Sequence, residues 1–574
     1  MMNQPALLSS EGPFDLRSVP FSRRGSFLCI HENEQDRCLY LCISRSPKMW
    51  MQRPTLVRLQ FLRSGNPMPV SYVAEPGRLL VKAGKGTAEY CLDSAGDLHL
   101  RLQGMELEMH CEKQSGDRFL SPGRQQAEMI FPVIGRLRLT AEAGSMSTRI
   151  SCQPESFVIT LEPEAENDTA EMTVLQDAID FTGHSRAAES FDMCVAHAQE
   201  DFYTFAGRYF KEPEPVSAFD LSAAWTIWNH TMGPAGNLKH EVVYMTRLQW
   251  LRAFGWQQSF HSMSVTGDAQ GAWDLIETIF DYLDPAGQLP DSIGDIGSAY
   301  LVTKPALQGV AFLRWTQRYQ LSQIAKAKRK TLYAGMSRFA SWWLKNRDRN
   351  HSGLPQYYHG DESPGEFCTC FRKGVPLYSP DLAAFLILLT ESCAVLADSL
   401  GKAEEALAWK ECSGRLMKRM MDLLWNGERF VFRLAADGQV VSSGGFMHLL
   451  PILLGERLPE EVLLRLTDMI GDENEYLGAD GITIENMHDM NSLPNHPGPK
   501  GSPIYVSTLL CLGLDAAGEK TLMKKIAERV VAGIRENGFT FMHTMKPSGT
   551  EKHPEKWTSW SAACYLILRD LRKE

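Results

Sequence analysis

The chain has 574 residues, 44% of them hydrophobic and 22% charged, which is the composition of a globular protein with two or three domains. Its formal net charge of −10 argues against nucleic acid as a partner, because binding to phosphates needs a basic surface. No stretch approaches the roughly 18–20 uninterrupted apolar residues of a membrane-spanning helix, and the first residues lack the basic and apolar regions of a signal peptide. We therefore expect a cytoplasmic protein that has no membrane partner.

Neither a metal nor an organic cofactor is indicated by the sequence. The 13 cysteines are scattered, and Cys368 and Cys370 form a C-x-C rather than the C-x2-C of zinc sites. His488, Asp489 and His496 also lack zinc spacing, so we expect them to form hydrogen bonds within their loop. The sequence shows neither a Gly-rich phosphate loop nor the G-x-S-x-G of serine hydrolases. It thus predicts no cofactor, no disulfide framework and no metal.

From about Phe14 to Asp177 the sequence consists of short segments in which apolar and polar residues alternate. Such alternation is typical of strands with one buried face, because successive side chains point to opposite faces. The clearest segments are RCLYLCISRS, TLVRLQFLRSG, GRLLVKAGKG, DLHLRLQG and ESFVITLEPE. Turn-forming Gly, Asn and Asp residues separate them, and no helical pattern intervenes. Residues 1–184 are therefore predicted to form an antiparallel β-sandwich.

Near Ser185 the hydrophobic period changes to that of amphipathic helices. The clearest helical stretches are Leu221–Thr231, Ala269–Leu283, Pro305–Tyr319, Leu332–Asn346, Asp381–Ser399, Lys402–Leu424, Val506–Ala517, Glu519–Arg535 and Ser559–Leu571. Weaker ones are Gln249–Ser264, Gly444–Leu454 and Glu460–Ile470. The loops between them are long and aromatic, and loops of this length are usually functional. Residues 185–574 are predicted to form an all-α (α/α)6 toroid, since no 34- or 40-residue repeat favours an α-solenoid.

Five parts of the helical half resemble the loops of (α/α)6-barrel glycoside hydrolases, namely family 63, the family 37 trehalases and the glycogen-debranching-like group. They are RLQWLRAFGWQQSFHSM at 247–263, GQLPDSIGD at 287–295 with TKPALQGVAFLRW at 303–315, GLPQYYHGDESPGEF at 353–367, GPKGSPIYVSTLLCLGL at 498–514 and NGFTFMHTMKPSGTEKHPEKWTSWSAA at 537–563. The third is similar to the family's G-W-D-x-S-P-R-F and the fifth to its G-F-x-E-x-Y-x-P-x-T-G. The resemblance covers roughly residues 218–570 and implies a six-hairpin glycosidase with a carbohydrate substrate.

Glycoside cleavage needs a carboxylic acid that protonates the leaving oxygen and a second carboxylate that activates water or attacks the sugar. The resemblance puts the acid at Asp361, in the sequence YYHGDESP. Its aromatic neighbours would desolvate the carboxyl group and keep it protonated at neutral pH. Glu362 is the alternative acid. Without the resemblance, Asp361 would be interpreted as the cap of a turn, because Asp beside Gly and Pro often has that role.

The second catalytic group departs from the family pattern. The family's Glu lies four residues before the Pro of its closing motif, and counting back from Pro547 puts His543 there. A histidine can act as a general base because its reference pKa of about 6.5 is close to working pH. Glu485, Asp489 and Glu551 are the carboxylates that could replace it, and Glu485 ranks first because its segment is apolar and rich in turns.

Further residues of the same segments are predicted to bind the sugar. Aromatic rings can stack on the apolar faces of pyranoses, and polar side chains can bind the hydroxyl groups. The predicted substrate-binding residues are Trp256, Gln258, His261, Tyr358, His359, Glu362, Lys500 and Trp557. Lys500 and the histidines make the expected pocket less anionic than in the family. Our hypothesis is therefore a small oligosaccharide or glycoside that bears an acidic group.

The leading prediction is hydrolysis by general acid and base with inversion at the anomeric carbon. A sugar phosphorylase or a polysaccharide lyase could use the same barrel, because a fold alone does not determine the chemistry. Loss of the base would leave a non-catalytic protein that binds a glycan, and the histidine at position 543 keeps that alternative open. Phosphate dependence would identify the phosphorylase, and an unsaturated product would identify the lyase.

Overall fold

The computed structural model describes residues 9–10, 14–45, 53–132, 134–152, 155–177, 189–210, 215–488, 501–540, 542–544, 551–552 and 558–573. The chain divides into two compact units. The first comprises Met1–Gly207, Pro215–Arg252 and Gly294–Gly297, and the second comprises Arg208–Glu214, Ala253–Ile293 and Ser298–Glu574. The first unit contains the long strands, and the second contains most of the helices.

The first sixteen strands of the described chain lie in the first unit and follow one another without an intervening helix. They are β1 (Ser9–Ser10), β2 (Leu28–Glu32), β3 (Leu39–Ile43), β4 (Val57–Arg63), β5 (Asn66–Pro67), β6 (Ser71–Glu75), β7 (Arg78–Ala83), β8 (Gly86–Leu92), β9 (Leu98–Gln103), β10 (Glu106–Glu112), β11 (Arg118–Gly123), β12 (Gln126–Phe131), β13 (Gly135–Ala143), β14 (Ser145–Cys152), β15 (Glu155–Glu162) and β16 (Thr169–Asp177).

These strands form two sheets, antiparallel except for the β1–β6 pair. One sheet has the order β1-β6-β7-β8-β9-β16-β13-β12-β11, and the other has the order β14-β15-β10-β4-β3-β2 with β5 beside β4. Buried and partly exposed side chains alternate along β13, as expected when one face of each sheet packs on the other. The rings of Phe119 and Phe157, one from each sheet, stack with their centroids 4.8 Å apart. The predicted β-sandwich is confirmed.

The helices follow the sandwich. They are α1 (Phe191–Ala206), α2 (Ala218–His230), α3 (Gly255–Ser264), α4 (Ala269–Glu277), α5 (Gln308–Arg318), α6 (Lys326–Asn346), α7 (Pro380–Ser399), α8 (Ala403–Leu424), α9 (Glu460–Gly471), α10 (Ile504–Ala516), α11 (Lys520–Asn537) and α12 (Ser559–Leu571). The 3-10 segments are Gly207–Tyr209, Thr278–Tyr282, Leu321–Gln323, Gly360–Glu362, Thr369–Lys373 and Phe446–Arg457.

Short strands occur in the connections between the helices. They are β17 (Thr231–Met232), β18 (Val242–Val243), β19 (Ala253–Phe254), β20 (Ser292–Gly294), β21 (Gly297–Ala299), β22 (Leu377–Tyr378), β23 (Phe432–Leu434), β24 (Val440–Val441), β25 (Leu477–Gly478), β26 (Gly481–Ile482), β27 (Gly501–Pro503), β28 (Met542–Thr544) and β29 (Glu551–Lys552).

Helix α1 belongs to the first unit and packs on β8 of the nine-stranded sheet. Phe191 and Cys194 of the helix form a small buried cluster with Cys91 of the strand. Arg101 reaches from β9 over the ring of Phe191, with its guanidinium carbon 4.4 Å from the ring centroid. Ser190 caps the helix by accepting a hydrogen bond from a backbone amide of the first turn, as Ser commonly does.

The second unit is built around six segments that form a closed ring. In order these are α3, α5, α7, the 3-10 segment Phe446–Arg457, α10 and α12, and each packs against the next. The ring closes because α12 packs against α3. All ten residues of α3 are buried, as are the first eleven residues of α10, so these segments are inner helices.

The other helices of this unit lie outside the ring. Helix α4 packs on α3 and α5, α6 and α8 on α7, α9 on the 3-10 segment, and α11 on α10 and α12. Along α9 only one face is buried, at Val462, Leu466 and Ile470, which is the spacing of an amphipathic surface helix. Inner and outer segments therefore alternate along the chain, as in the predicted (α/α)6 toroid.

Two predicted helices are partly or wholly 3-10 in the structure. The stretch Ala269–Leu283 is α-helical only to Glu277 and then tightens into the 3-10 turn Thr278–Tyr282. The stretch Gly444–Leu454 is a 3-10 segment instead of an α-helix. Pro451 inside it cannot donate a backbone hydrogen bond, and Gly455 at φ 54° breaks the helical path.

Helix α7 is the one helix among the described residues that is long and apolar enough to cross a membrane. Of its apolar window, 78% is buried within the protein. It packs against α5, α6 and α8, which identifies it as a core helix of the ring. Such a helix can read as uniformly apolar because protein surrounds it on several sides.

Candidate active site

The loops that lead into the inner segments meet at one end of the ring. Each inner segment from α3 to α10 is followed by an outer helix that runs back, so the inner segments all begin at the same end. We call this the loop end. Its loops, in the part of the chain that the structure describes, are residues 283–307, 347–379, 425–445, 472–488 with 501–503, and 538–540 with 542–544, 551–552 and 558, which precede α5, α7, the 3-10 segment, α10 and α12. Most of the predicted site residues fall in these loops or in α3.

Asp361 lies in the 3-10 turn Gly360–Glu362, and its side chain is 47% exposed. Its Oδ2 is 3.6 Å from Nδ1 of His359, and the same nitrogen accepts a 3.1 Å hydrogen bond from the Asp361 backbone amide. The His359 side chain is 61% exposed. The sequence predicted that aromatic neighbours would enclose the Asp361 carboxyl group. Within the described part of the chain, that carboxyl group is instead accessible to solvent.

Glu362 is the opposite case, since only 2% of its side chain is exposed. Its Oε1 accepts a 2.6 Å hydrogen bond from Nη2 of Arg347, and its Oε2 accepts one of 2.7 Å from the Tyr358 amide. The guanidinium of Arg347 also lies over the Tyr358 ring, 5.1 Å from the centroid. A carboxylate with these partners anchors the turn that carries Asp361. Glu362 was predicted as an alternative acid and as a sugar ligand. Its contacts with Arg347 and the Tyr358 amide are those of a residue that holds the turn in place.

Lys304 joins the loop before α5 to the loop before α7. Its Nζ donates a 3.0 Å hydrogen bond to the backbone oxygen of Asp361. The same nitrogen is 3.5 Å from Oδ1 of Asp291 and 3.6 Å from Oε2 of Glu366. Burial raises the pKa of the Glu366 carboxyl, Lys304 lowers it, and the charges of Asp361 and Asp291 raise it. The Lys304 ammonium group therefore contacts three acidic residues at the loop end, two through their carboxylates and Asp361 through its backbone oxygen.

Glu485 is fully buried and connects three loops. Its Oε1 accepts a 2.5 Å hydrogen bond from the amide of Thr369, and its Oε2 accepts one of 3.1 Å from the Thr369 hydroxyl. The hydroxyl of Thr369 is also 2.8 Å from that of Ser443. Both carboxylate oxygens are thus engaged inside the protein, so the contacts of Glu485 are those of a residue that holds loops together.

Aromatic residues from three inner helices form a cluster at the starts of those helices. Trp256 of α3 lies edge-on to Tyr505 of α10 and to Trp560 of α12, with centroids 5.4 and 4.6 Å away. Tyr505 and Trp560 stack with an interplanar angle of 18°. Trp256 is only 6% exposed. We call these three residues the aromatic floor, because they close the ring behind its loops.

The other two predicted ligands in α3 are also buried. Gln258 is 3% exposed and His261 is 0% exposed. Burial lowers the pKa of His261 to about 3, so its ring is neutral at physiological pH. Its Nε2 is 3.4 Å from the hydroxyl of Ser559 in α12. His261 thus lies where the first and last inner helices of the ring meet.

The remaining predicted residues fall at the edge of the described chain. Lys500 and Trp557 lie outside the described residues, as do Asp489 and His496. His543 is described only through its backbone, which pairs with Ser502 of β27 and with Lys552 of β29. In the described residues, no group of three or more His, Cys, Asp or Glu side chains could hold a metal ion.

Three residues of the loop end were not among the predicted site residues: Lys304, Glu366 and Tyr505. Lys304 stands in TKPAL and Glu366 follows GDESP, so both fall in segments that carried the resemblance. Neither segment reveals that the two side chains meet. Tyr505 reads as part of the apolar helix IYVSTLLCLGL, which conceals its role in the aromatic floor.

Comparisons with known proteins agree with this architecture. The family model of the mannosylglycerate hydrolase MGH1-like glycoside hydrolase domain matches residues 251–543. A bacterial glucoamylase in complex with acarbose aligns over 99% of this chain and 96% of its own, with 11% identity and a TM-score of 0.60. The family 63 mannosylglycerate hydrolase of Thermus thermophilus with glucose aligns over 62% of this chain and 99% of its own, with 15% identity and a TM-score of 0.48. No curated protein matches the sequence.

The glucoamylase alignment spans both units and so supports the sandwich followed by the helical ring. The family match covers a little over half of the chain and includes α3 to α11 with their loops. It contains Lys304, Asp361, Glu362 and Glu485. The chain therefore belongs to the family of mannosylglycerate hydrolase MGH1-like glycoside hydrolases and is a glycosidase.

Proposed function

We propose that the protein hydrolyses a small glycoside bearing a carboxylate, with Asp361 as the proton donor. The observation that carries this proposal is the placement of Asp361. Its carboxylate is accessible on a turn held from one side by Lys304 and from the other by the Arg347–Glu362 pair. A proton donor must be reachable by the substrate and fixed in position, and this residue combines both properties.

In the proposed reaction the carboxyl group of Asp361 protonates the glycosidic oxygen as its bond to the anomeric carbon breaks. Water attacks that carbon from the other face of the sugar, which inverts its configuration. A second group removes the proton from the attacking water. His359, 3.6 Å from the carboxyl of Asp361, lies where it can contact the sugar or exchange protons with the acid.

An acidic substrate is favoured by the family and by an exposed side chain beside the proposed proton donor. The family is described by its likeness to a mannosylglycerate hydrolase, and the glycerate part of that substrate carries a carboxylate. The exposed imidazole of His359 accepts the Asp361 amide at Nδ1, which leaves its other nitrogen to donate a hydrogen bond to an acidic group; Lys500 and His543 remain ligands predicted from the sequence alone.

The role of Asp361 is tested by Asp361→Asn, which keeps the shape of the side chain but removes the proton. We expect kcat/KM for an unactivated glycoside to fall by roughly 10²–10⁴-fold, with an unchanged unfolding curve. Asp437→Asn, in an exposed turn, is the matched control and should retain full activity. An Asp361→Asn enzyme that keeps its activity would exclude Asp361 as the proton donor.

The substrate class is tested with paired glycosides that differ only in whether the aglycone ends in a carboxylate or in its neutral amide. Glycosides of glycerate and of glyceramide form one such pair. We expect the acidic member to have the higher kcat/KM and the preference to shrink as salt is added, because salt screens charge attraction. Equal turnover of both members would contradict an acidic substrate while leaving the glycosidase activity intact.

A further inference from the structure

We propose that Glu366 is the carboxylate that activates water opposite Asp361. This inference rests on the proposed function, because it completes the pair of groups that hydrolysis requires. The family pattern offers His543 for this role, and the sequence offered Glu485 as its replacement. Glu366 follows the acid-bearing turn Gly360–Glu362 by four residues.

The first reason is the surroundings of Glu366. The hydroxyl of Tyr505 donates a 2.6 Å hydrogen bond to the backbone oxygen of Pro364, which ties this part of the loop to the aromatic floor. Burial raises the pKa of Tyr505 well above its ordinary value, and the next contribution comes from the charge of Glu366. The Glu366 carboxylate therefore belongs to the part of the loop that Tyr505 fixes, near enough for its charge to act on the Tyr505 phenol.

The second reason is access. The Glu366 side chain is 37% exposed, so water can reach its carboxylate. The corresponding exposures are 2% for Glu362 and 0% for Glu485. Glu362 is occupied by Arg347 and Glu485 by Thr369. Of these three glutamates, Glu366 alone combines proximity to the Asp361 turn with exposure to solvent.

The third reason is the way the side chain is held. Oε2 of Glu366 is 3.6 Å from Nζ of Lys304, which also binds the backbone oxygen of Asp361. A single ammonium group thus links the backbone of the proton donor to the carboxylate of Glu366. Lys304 is 13% exposed, and its position is constrained further by Asp291. Lys304 is consequently a positioning residue for both members of the pair.

The chemical step balances with these two groups and one water. The Glu366 carboxylate takes a proton from water as the water oxygen forms a bond to the anomeric carbon. The bond from that carbon to the glycosidic oxygen breaks, its electron pair stays on the oxygen, and that oxygen takes the proton of Asp361. Glu366 ends protonated and Asp361 ionised, and exchange of one proton through solvent restores the starting state.

A base with these neighbours should titrate above an ordinary glutamate. Burial raises the pKa of Glu366, Lys304 lowers it, and the charge of Asp291 raises it, as does that of Asp361 once Asp361 has given up its proton. Tyr505 faces it from the floor as a neutral phenol. Because a general base must be ionised to work, kcat/KM should fall as the pH decreases through the pKa of Glu366.

The experiment compares Glu366→Gln with Asp361→Asn on two probes, the unactivated glycerate glycoside and the glycosyl fluoride of the sugar that the wild type accepts. Fluoride leaves without protonation, so the acid variant should retain activity on the fluoride. The base variant should lose roughly 10²–10⁴-fold on both probes. Glu485→Gln and Asp291→Asn are measured beside them to separate Glu366 from the other carboxylates.

Lys304 provides a readout that a purely structural role would not change. Lys304→Met should move the acidic limb of the pH profile of kcat/KM to higher pH, because the cation that lowers the pKa of Glu366 is gone. Lys304→Arg keeps the charge and should restore the limb. If Lys304→Met does not fold, Lys304→Gln, which keeps a donor without the charge, replaces it in the same measurement.

The outcomes separate this inference from the function on which it rests. Loss of activity on both probes by Glu366→Gln, with Asp361→Asn selective for the fluoride, supports it. A Glu366→Gln enzyme with near wild-type rates overturns it while Asp361 stays the donor. Retained fluoride activity in Glu366→Gln overturns its role as base. A wild type that turns over neither probe from any sugar in the panel overturns the proposed function and the inference together.

Discussion

Two guanidinium nitrogens of Arg347 converge on a single oxygen of Glu362, with Nη2 at 2.6 Å and Nε at 3.1 Å from Oε1. The other oxygen of Glu362 accepts the amide of Tyr358. Arg347 lies at the end of α6 and Glu362 ends the turn that carries Asp361, so the pair ties the turn to the helix, and its carboxylate is almost completely withdrawn from water. The position of the proposed proton donor therefore depends on a neighbouring charge that does no chemistry itself.

Removal of that charge should destabilise the protein. Glu362→Ala leaves Arg347 partly buried without its partner, and we expect a loss of roughly 3 kcal/mol in the free energy of unfolding, because breaking a buried ion pair leaves one charge uncompensated. The measurement is urea unfolding at neutral pH. Glu411→Ala removes a pair with Arg415 that is exposed on both sides and should cost at most about 0.5 kcal/mol. Equal losses from the two variants would refute a special role for the Arg347–Glu362 pair.

The contact between Glu485 and Thr369 should be worth more than an ordinary surface hydrogen bond. Glu485→Gln replaces an acceptor oxygen by a donor opposite the Thr369 amide, and we expect a loss of about 1–3 kcal/mol in unfolding free energy. Thr369→Val removes the hydroxyl contact alone. A double-mutant cycle of these two changes should show coupling, because the side chains share a buried network with Ser443. Strict additivity would contradict that network.

Stability should decrease with acid below about pH 6.5 because of buried histidines. Burial lowers the pKa of both His261 and His448 to about 3, whereas an unfolded histidine titrates near 6.5. Between about pH 6.5 and pH 3, these two histidines therefore bind protons in the unfolded chain but stay neutral in the folded protein. Their contribution to the free energy of unfolding is fully present above the pKa of an unfolded histidine. It decreases towards pH 3 by about 1.4 kcal/mol per pH unit for each histidine.

The test is urea unfolding across this pH range for the wild type and His448→Gln. In His448→Gln the free energy of unfolding should change less steeply with pH, by about 1.4 kcal/mol per pH unit, because one buried histidine is gone. His240→Gln, at an exposed position, should keep the pH dependence of the wild type. If the slope is the same for His448→Gln and the wild type, then His448 is not the buried neutral group that the structure shows.

Gly309 should be required for the contact between inner helices α5 and α7. A Cβ atom at Gly309 would lie 2.5 Å from the backbone nitrogen of Leu389, so Gly309→Ala forces two rigid helices apart, and overpacking of this kind costs roughly 1–3 kcal/mol. Gly414 in α8 is exposed, and a Cβ atom added there would have no neighbouring atom within 4 Å. Gly414→Ala should raise stability by up to about 1 kcal/mol. Thermal unfolding should show a lower Tm for Gly309→Ala and a higher Tm for Gly414→Ala than for the wild type.

The helices and strands of this fold could be predicted because the spacing of their apolar residues indicates which face of each element is buried. Helix α12 spans Ser559–Leu571, the same residues as the predicted helix, and β15 begins where ESFVITLEPE predicts it. The 3-10 segment Phe446–Arg457 was predicted as an α-helix, since its apolar run does not distinguish the two forms. The contact of α12 with α3 could not be derived from either helix alone, because periodicity shows which face is buried and not what covers it.

The candidate site was predictable only in part. Asp361 and Glu362 are adjacent, and the sequence could not show that one would be open and the other buried. Lys304 binds the backbone of Asp361 across 57 residues, and its neighbours in sequence give no sign of that partner. Glu485 ranked first among the replacement carboxylates because its segment is apolar and rich in turns, but its side chain is buried and bonded to Thr369. Side-chain direction in loops depends on distant segments, which local patterns do not encode.

The junction of α3 with α12 has a consequence for how the protein is made. His261 and Ser559, which meet there, are 298 residues apart along the chain. Before α12 is translated, the nascent polypeptide has α3 and α10 but lacks the helix that covers both of them. Their apolar surfaces remain uncovered until α12 leaves the exit tunnel of the ribosome. Chaperone binding should therefore persist until α12 has emerged and cease soon afterwards.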